Sequence, residues 1–168
     1  MHIATDLPRV RPVTLTPNED CSIQRTLDLI GDRWTLLVVR DLFRGVRRFS
    51  RIQKDLGIAR NLLTDRLGLL VEAEIVEKTP YQERPLRHEY RLTAKGRALS
   101  PTLVAMMRWG DEWCSGGVAP TELVHHDCDT RLELQCWCTA CNAPVTPTQI
   151  ASRPGPGRIL NAAESAHA

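Results

Sequence analysis

A mainly helical α+β fold is predicted by three observations. Apolar residues recur at helical spacing in four stretches, around residues 23–30, 34–42, 63–71 and 99–113. Two strand-like runs, Ile75 to Thr79 and Arg87 to Leu92, flank Pro80-Tyr81-Gln82-Glu83-Arg84-Pro85, a turn that two prolines keep out of any helix. A short helix-like run ending at Gly57 and a longer one beyond it lie just upstream of those strands. Helix, turn, helix, strand, basic turn, strand is the outline of a winged helix-turn-helix.

Each element has local support. Residues 1–18 contain Pro8, Pro12 and Pro17 with no helical period, and read as a flexible arm. Asp20 or Ser22 can cap a first helix whose apolar stripe is Ile23, Leu27 and Ile30, with Gly31 ending it. Asp32 caps a second helix, in which Trp34, Leu37, Val38, Asp41 and Leu42 follow helical spacing and the apolar members face a core; Gly45 closes it. Arg47-Arg48-Phe49 makes a short extended link, and Ser50 is a good N-cap for the helix ending at Leu56-Gly57. Asn61 or Ala59 opens the following helix, whose buried face is Leu63, Leu67, Leu70 and Val71. Thr93 caps a long final helix through Leu99, Leu103, Met106 and Met107 to Trp109 and Trp113, with Pro101 placing a kink or break near Ser100. The winged domain is thus expected over residues 19–113, a small Cys/His-rich extension over 114–150 and a flexible tail over 151–168.

A chain of 168 residues can bury one proper core, so one domain with appendages is expected. The net charge of +2 is unevenly divided: residues 40–97 hold 14 Lys+Arg against 8 Asp+Glu, leaving 8 against 12 elsewhere. A basic module in an otherwise acidic chain suits a polyanionic partner, because neutralising phosphates releases counterions; charge alone favours a plain solvated surface. No apolar run approaches the roughly 18 residues of a membrane span. The first 20 residues lack the order of a secretory signal, so the chain reads as cytoplasmic, with no membrane partner. In that compartment six cysteines point to thiols, a metal site or redox chemistry rather than a disulfide framework.

The helix after Gly57 has the character of a major-groove reader. Its leucines face in, while Arg60, Asn61 and Thr64 face out near its N-terminal end. Arg can grip guanine bidentately, Asn can grip adenine, and Thr can reach a base edge, a thymine methyl or a phosphate. Arg66 suits either DNA or an acidic neighbour. Ser50 and Arg51 sit where free N–H groups favour a phosphate oxygen, with Arg47 and Arg48 beside them. The wing offers Arg84, Arg87 and His88 to backbone phosphates or the minor groove. Singly, each arginine is a solvated charge; their joint placement at three contact points makes a candidate duplex-DNA interface.

Four segments carry a resemblance to a known family. They are Cys21-Ser22-Ile23 with Leu27-Asp28-Leu29-Ile30-Gly31-Asp32-Arg33-Trp34-Thr35; Leu42-Phe43-Arg44-Gly45-Val46-Arg47-Arg48-Phe49; Arg60-Asn61-Leu62-Leu63-Thr64-Asp65-Arg66-Leu67; and Glu89-Tyr90-Arg91-Leu92-Thr93-Ala94-Lys95-Gly96. In this ordered combination residues 21–113 resemble the HxlR-type branch of the MarR-like winged-helix transcriptional regulators. The resemblance implies a homodimer that binds a pseudo-palindromic operator and represses or activates a nearby gene. It departs from the family at Gly68, where a polar or charged helix former is usual, which costs about 1 kcal/mol of helix stability relative to Ala. The residues themselves also favour a dimer. The first and last helices carry more apolar surface than one small winged domain covers, and a two-fold pair would set its reading helices about 34–36 Å apart. The other reading is that Trp109 and Trp113 pack within the monomer.

The cysteines leave more than one reading. Cys21 stands at the start of the first helix, where a helix N-terminus favours a thiolate; in some family members a cysteine here senses oxidants or electrophiles. A cysteine at such a place is more often a small buried hydrophobe. Cys114 lies just beyond the last helix. In the extension, His125-x-x-Cys128 and Cys138-x-x-Cys141 are nine residues apart, enough for a small β-turn-β unit to bring four soft ligands to a structural zinc. Asp129 and Asn142 follow the two pairs, where a zinc knuckle usually has glycine, and Cys136 is an extra thiol. The competing reading is a hairpin of reduced thiols.

The expected function is a non-enzymatic, sequence-specific DNA-binding transcriptional regulator, acting as a homodimer and switched by a small-molecule effector or by thiol oxidation. The alternative is a thiol- or zinc-dependent protein-interaction module. Catalysis has little support: there is no Gly-rich phosphate loop, no nucleophile elbow, and no paired acid and base.

Overall fold

The computed structural model describes residues 21–152 and has the expected mainly helical α+β winged helix-turn-helix. The arm over 1–18, residues 19 and 20 with the candidate cap Asp20, and the tail over 153–168 lie outside the described residues. Helix α1 (Ser22–Ile30) begins on Cys21 rather than Ser22, because the Cys21 carbonyl already accepts the Arg25 N–H at 3.1 Å; no side chain caps it. Of its apolar stripe Ile30 is buried, whereas Ile23 and Leu27 stay 71% and 55% exposed.

Helix α2 (Arg33–Phe43) is started by Asp32, whose Oδ1 accepts the N–H groups of Trp34 at 2.9 Å and Thr35 at 3.2 Å. It buries Thr35, Val38, Val39, Asp41 and Leu42. The buried Asp41 carboxylate accepts from Arg40 through Nη2 at 2.7 Å and Nε at 3.1 Å, with Arg44 at 3.6 Å. The link that follows is extended as expected, and it is tied to the sheet: the Tyr90 N–H donates to the Arg47 carbonyl at 2.8 Å, and Arg48 forms a β-bridge with Glu89.

That tie moves the start of helix α3 (Phe49–Leu56). Arg48, held extended by the bridge, is its N-cap, and its carbonyl accepts from Arg51 and Ile52 at 2.9 and 3.0 Å. Ser50 therefore lies inside the first turn and caps nothing. Gly57 takes the left-handed conformation, φ +62, that ends α3 and admits the tight turn to α4 (Arg60–Glu72). Helix α4 opens on Ala59, not Asn61, and buries Leu63, Leu67 and Leu70, with Val71 half-buried. These pack into one core with Val38, Val39 and Leu42 of α2 and with Ile52, Ile58, Ile75, Val76, Tyr90 and Leu92.

The wing is longer than expected. Strands β1 (Val76–Glu83) and β2 (Leu86–Leu92) pair antiparallel from Val76 opposite Leu92 to Glu83 opposite Leu86, so the turn shrinks to Arg84-Pro85. Pro80 stays within β1 because the hairpin leaves it on an edge, where a missing N–H is tolerated, and the register shifts between Pro80 and Gln82. Thr93 caps only the four-residue α5 (Ala94–Arg97), accepting the Gly96 N–H at 3.1 Å. The break expected near Ser100 is present. Helix α6 (Ser100–Trp113) restarts with Pro101 in its first turn, where the absent N–H leaves no bond unmade.

Helix α6 buries none of its residues: Met106, Trp109 and Trp113 are 51%, 62% and 67% exposed. The two tryptophans thus do not pack into the core of their own chain. The extension holds a Val124–Arg131 bridge, the antiparallel pair β3 (Cys136–Cys138) and β4 (Ala143–Val145), and a 3-10 turn at Pro147–Gln149. It lies against α6, where Val104, Met107 and Arg108 share a shallow crevice with Leu123, Arg131 and Leu132. Among the described residues no helix is long and apolar enough to cross a membrane.

Neighbouring substitutions in α4 should act in opposite directions. Leu67→Ala removes a fully buried side chain from the α2–α4 seam and is expected to cost about 2–5 kcal/mol. Gly68→Ala adds a methyl group that meets nothing within 4 Å, at an ordinary helical position, and should stabilise by about 1 kcal/mol. Urea unfolding of both variants reads the two signs.

Candidate nucleic-acid interface

Because one face of α4 is fixed in the core, its other face has no choice of direction. Arg60, Asn61 and Thr64 are all exposed along it, near the N-terminal end. The Thr64 hydroxyl donates back to the Arg60 carbonyl at 2.9 Å, which leaves its oxygen lone pairs and methyl group facing outward. Arg60 is held as well: its guanidinium lies 5.7 Å from the centre of the Phe49 ring, at the start of α3. Arg66 does not belong to this face. It is mostly buried, and its Nε lies 3.1 Å from Asp32 Oδ1 in an ion pair, although the N–H is not aimed along that line.

Ser50 and Arg51 are exposed in the first turn of α3, beside the exposed Arg47 and Arg48 of the link. Arg48 reaches the wing, its guanidinium 4.7 Å from the centre of the Tyr81 ring in β1. The structure therefore joins two expected contact points, the link and the wing, through a cation–π contact as well as through the bridge to β2. The wing residues separate more than the sequence suggests. Only Arg84 stands at the tip. Arg87 and His88 lie within β2, since the strand resumes at Leu86. Strand alternation then turns Arg87 outward and exposed, while half-buried His88 shares a face with buried Tyr90 and Leu92. Arg91 is engaged internally, 2.6 Å from Glu89.

Phe49 and Tyr81 were not evident as parts of this site from sequence. Phe49 read as a link residue and Tyr81 as a turn residue. Neither stacking partner follows from a spacing rule, because Arg48 and Tyr81 meet only through the folded sheet.

The thiols fall into two groups. Cys21 is exposed at the N-cap of α1, and Cys114 is exposed at the C-cap of α6. In the extension, His125 Nδ1 lies 3.2 Å from Cys128 Sγ. Hydrogen bonds from Thr130, through its hydroxyl and its amide, hold the Cys128 thiol below its usual pKa. The Cys138 thiol is likewise lowered, by the Cys141 amide first, then the Cys141 thiol and the Ala140 amide. Asp129 and Asn142 adopt the left-handed conformation that a knuckle requires, at φ +54 and +50. Three sulfurs and an imidazole suit a soft cation. The two pairs form separately, however: among the described residues no three His, Cys, Asp or Glu side chains gather around one point.

Comparison with known proteins places these features in context. Residues 29–117 match the family described as HxlR-like helix-turn-helix. The chain is 43% identical over 137 residues to the HTH-type transcriptional regulator Rv3095 of Mycobacterium tuberculosis, across 81% of this chain and 87% of that one. The crystal structure of PA1607, described as a candidate transcription factor, is similar with a TM-score of 0.71 and 38% identity, covering 81% of this chain and 96% of the other. The redox regulator HypR in its oxidised form is similar with a TM-score of 0.51 and 31% identity, over 55% of this chain and 96% of its own.

The placement of Arg66 has a measurable consequence. Arg66→Met keeps the aliphatic stem and removes the charge facing Asp32, and should lower stability by about 1 kcal/mol. Chemical denaturation in low and high salt checks this, and an unchanged midpoint in both would contradict the pairing.

Proposed function

The chain belongs to the HxlR-like helix-turn-helix family, and on that premise we propose that it is a transcriptional regulator that reads duplex DNA as a homodimer. The observation that carries the reading is the outward set Arg60, Asn61 and Thr64 on a helix whose opposite face is locked into the core. In a major groove these three side chains supply base-edge contacts. Arg47, Arg48, Ser50, Arg51, Arg84 and Arg87 surround them and serve the phosphate backbone, positioning the helix without reading sequence. His88, half-buried on the inner face of β2, supports the wing from within.

The dimer rests on exposed apolar side chains. Ile23 and Leu27 of α1 and Met106, Trp109 and Trp113 of α6 present a surface that a second copy would cover. A two-fold axis through it would place two α4 helices about 34–36 Å apart, matching a pseudo-palindromic operator. Binding there represses or activates the adjacent gene by occupancy. A small-molecule effector, or oxidation of Cys21, would act by changing the separation of the reading helices. Two facts support Cys21 in this role: its thiol is exposed on the helix that bears Ile23 and Leu27, and the similar protein HypR is a redox regulator.

The test is fluorescence anisotropy of DNA from upstream of the protein's own locus, across a salt series. Arg60→Ala and Asn61→Ala should each lose about 1–3 kcal/mol of preference for the operator over unrelated DNA. Arg84→Ala and Arg87→Ala should weaken binding to all sequences alike and reduce the salt slope by about one. Salt-insensitive binding, or none, would sink the reading. For the switch, Cys21→Ser should abolish any loss of binding caused by a thiol oxidant.

A further inference from the structure

The extension over residues 114–150 has no core. None of its residues is buried, and Leu132, Leu134 and Trp137 stay 42%, 41% and 54% exposed. Units below about 40 residues ordinarily need a disulfide, a metal or a partner to hold a fold. All of its cysteines are free.

What the extension does possess is two turns of matching construction. In the first, His125-x-x-Cys128 is followed by Asp129 at φ +54; in the second, Cys138-x-x-Cys141 is followed by Asn142 at φ +50. Each turn closes a hairpin: Leu132 N–H donates to the Leu123 carbonyl at 2.8 Å across the first, and β3 pairs with β4 across the second. Within the first turn the imidazole already stands beside the thiol, Nδ1 to Sγ 3.2 Å.

We propose that the extension is a metal-stapled subdomain in which His125, Cys128, Cys138 and Cys141 hold one zinc ion tetrahedrally. Three thiolates and a neutral imidazole leave no open position, so the site is structural. Binding releases the three thiol protons to solvent and leaves a centre of net charge −1, counting the ion as +2. The two pairs are separate half-sites here, and the ion draws their hairpins together, so that its binding free energy becomes folding free energy for a segment that lacks a core. The stapled unit would brace α6 through the crevice where Leu123 and Leu132 face Val104 and Met107. The proposal stands independently of DNA reading.

The experiment uses the full chain, purified under reducing conditions and dialysed with zinc or with a chelator. Elemental analysis should find about one zinc per chain. Cobalt titrated into the metal-free chain should give the absorption of a tetrahedral, thiolate-rich centre. Chelation should open residues 114–150 to limited proteolysis. Cys138→Ser and His125→Ala should each lose the tetrahedral cobalt spectrum, while His126→Ala, one residue from a ligand, should keep it. The proposal is overturned if the reduced wild-type chain takes up no zinc, if cobalt binds with an octahedral spectrum, or if Cys138→Ser retains the tetrahedral one. It is equally overturned if the metal-free extension resists protease as well as the loaded one.

Discussion

The interlock of Leu63, Leu67 and Leu70 of α4 with Val38, Val39 and Leu42 of α2 is the constraint on which the rest of the molecule depends. A helix advances about 100° per residue, so burying one face this completely settles the direction of every other side chain on it. A rotation by a single residue would bring a leucine into water and carry a polar side chain into the core. Asp32 adds an axial lock. One carboxylate oxygen starts α2 by accepting two amides and also faces Arg66 of α4. The two helices are thereby held against rotation by apolar packing and against sliding by charge.

This scaffold also sorts the cations. The positive balance of residues 40–97 is not uniformly available to a partner. Arg40 is turned onto buried Asp41, Arg66 onto Asp32, and Arg91 onto Glu89. Arg48 and Arg60 form a second class, exposed but resting on aromatic rings, which limits the volume their guanidinium groups explore. Arg47, Arg51, Arg84 and Arg87 form a third, exposed and free of an aromatic support among the described residues. A cation that loses little freedom on meeting DNA suits a fixed geometric contact. A mobile one suits diffuse attraction to phosphate.

Much of the fold was legible because its signals are local. Gly31-Asp32, Gly57, Thr93 and Pro101 act within a few residues of themselves, and each ends or starts an element where its chemistry says it should. The leucine face of α4 was equally legible from its period. What escaped was set by partners distant in sequence. Ser50 has the chemistry of a cap, but the bridge from Arg48 to Glu89 decided where α3 begins. Pro80 has the chemistry of a turn, but an edge position with a register shift let the strand run on past it. The same lengthening drew Arg87 and His88 from the turn into β2 and gave them opposite faces. Of the candidate site, the outward residues of α4 were visible because periodicity alone orients them, whereas the contacts of Phe49 with Arg60 and of Tyr81 with Arg48 were not.

The hydrogen bond from Tyr90 to the Arg47 carbonyl, small in itself, divides what can be retuned in this protein from what cannot. With the Arg48–Glu89 bridge it fastens the wing to the lead-in of α3, so hairpin, link and α3 are joined through the backbone. Mutation can exchange the outward side chains of α4 without disturbing its buried leucines, so that face is structurally cheap to vary. In the homodimer proposed above, the spacing of the two α4 helices would instead be set where two copies meet, so sequence preference and spacing would be free to evolve separately.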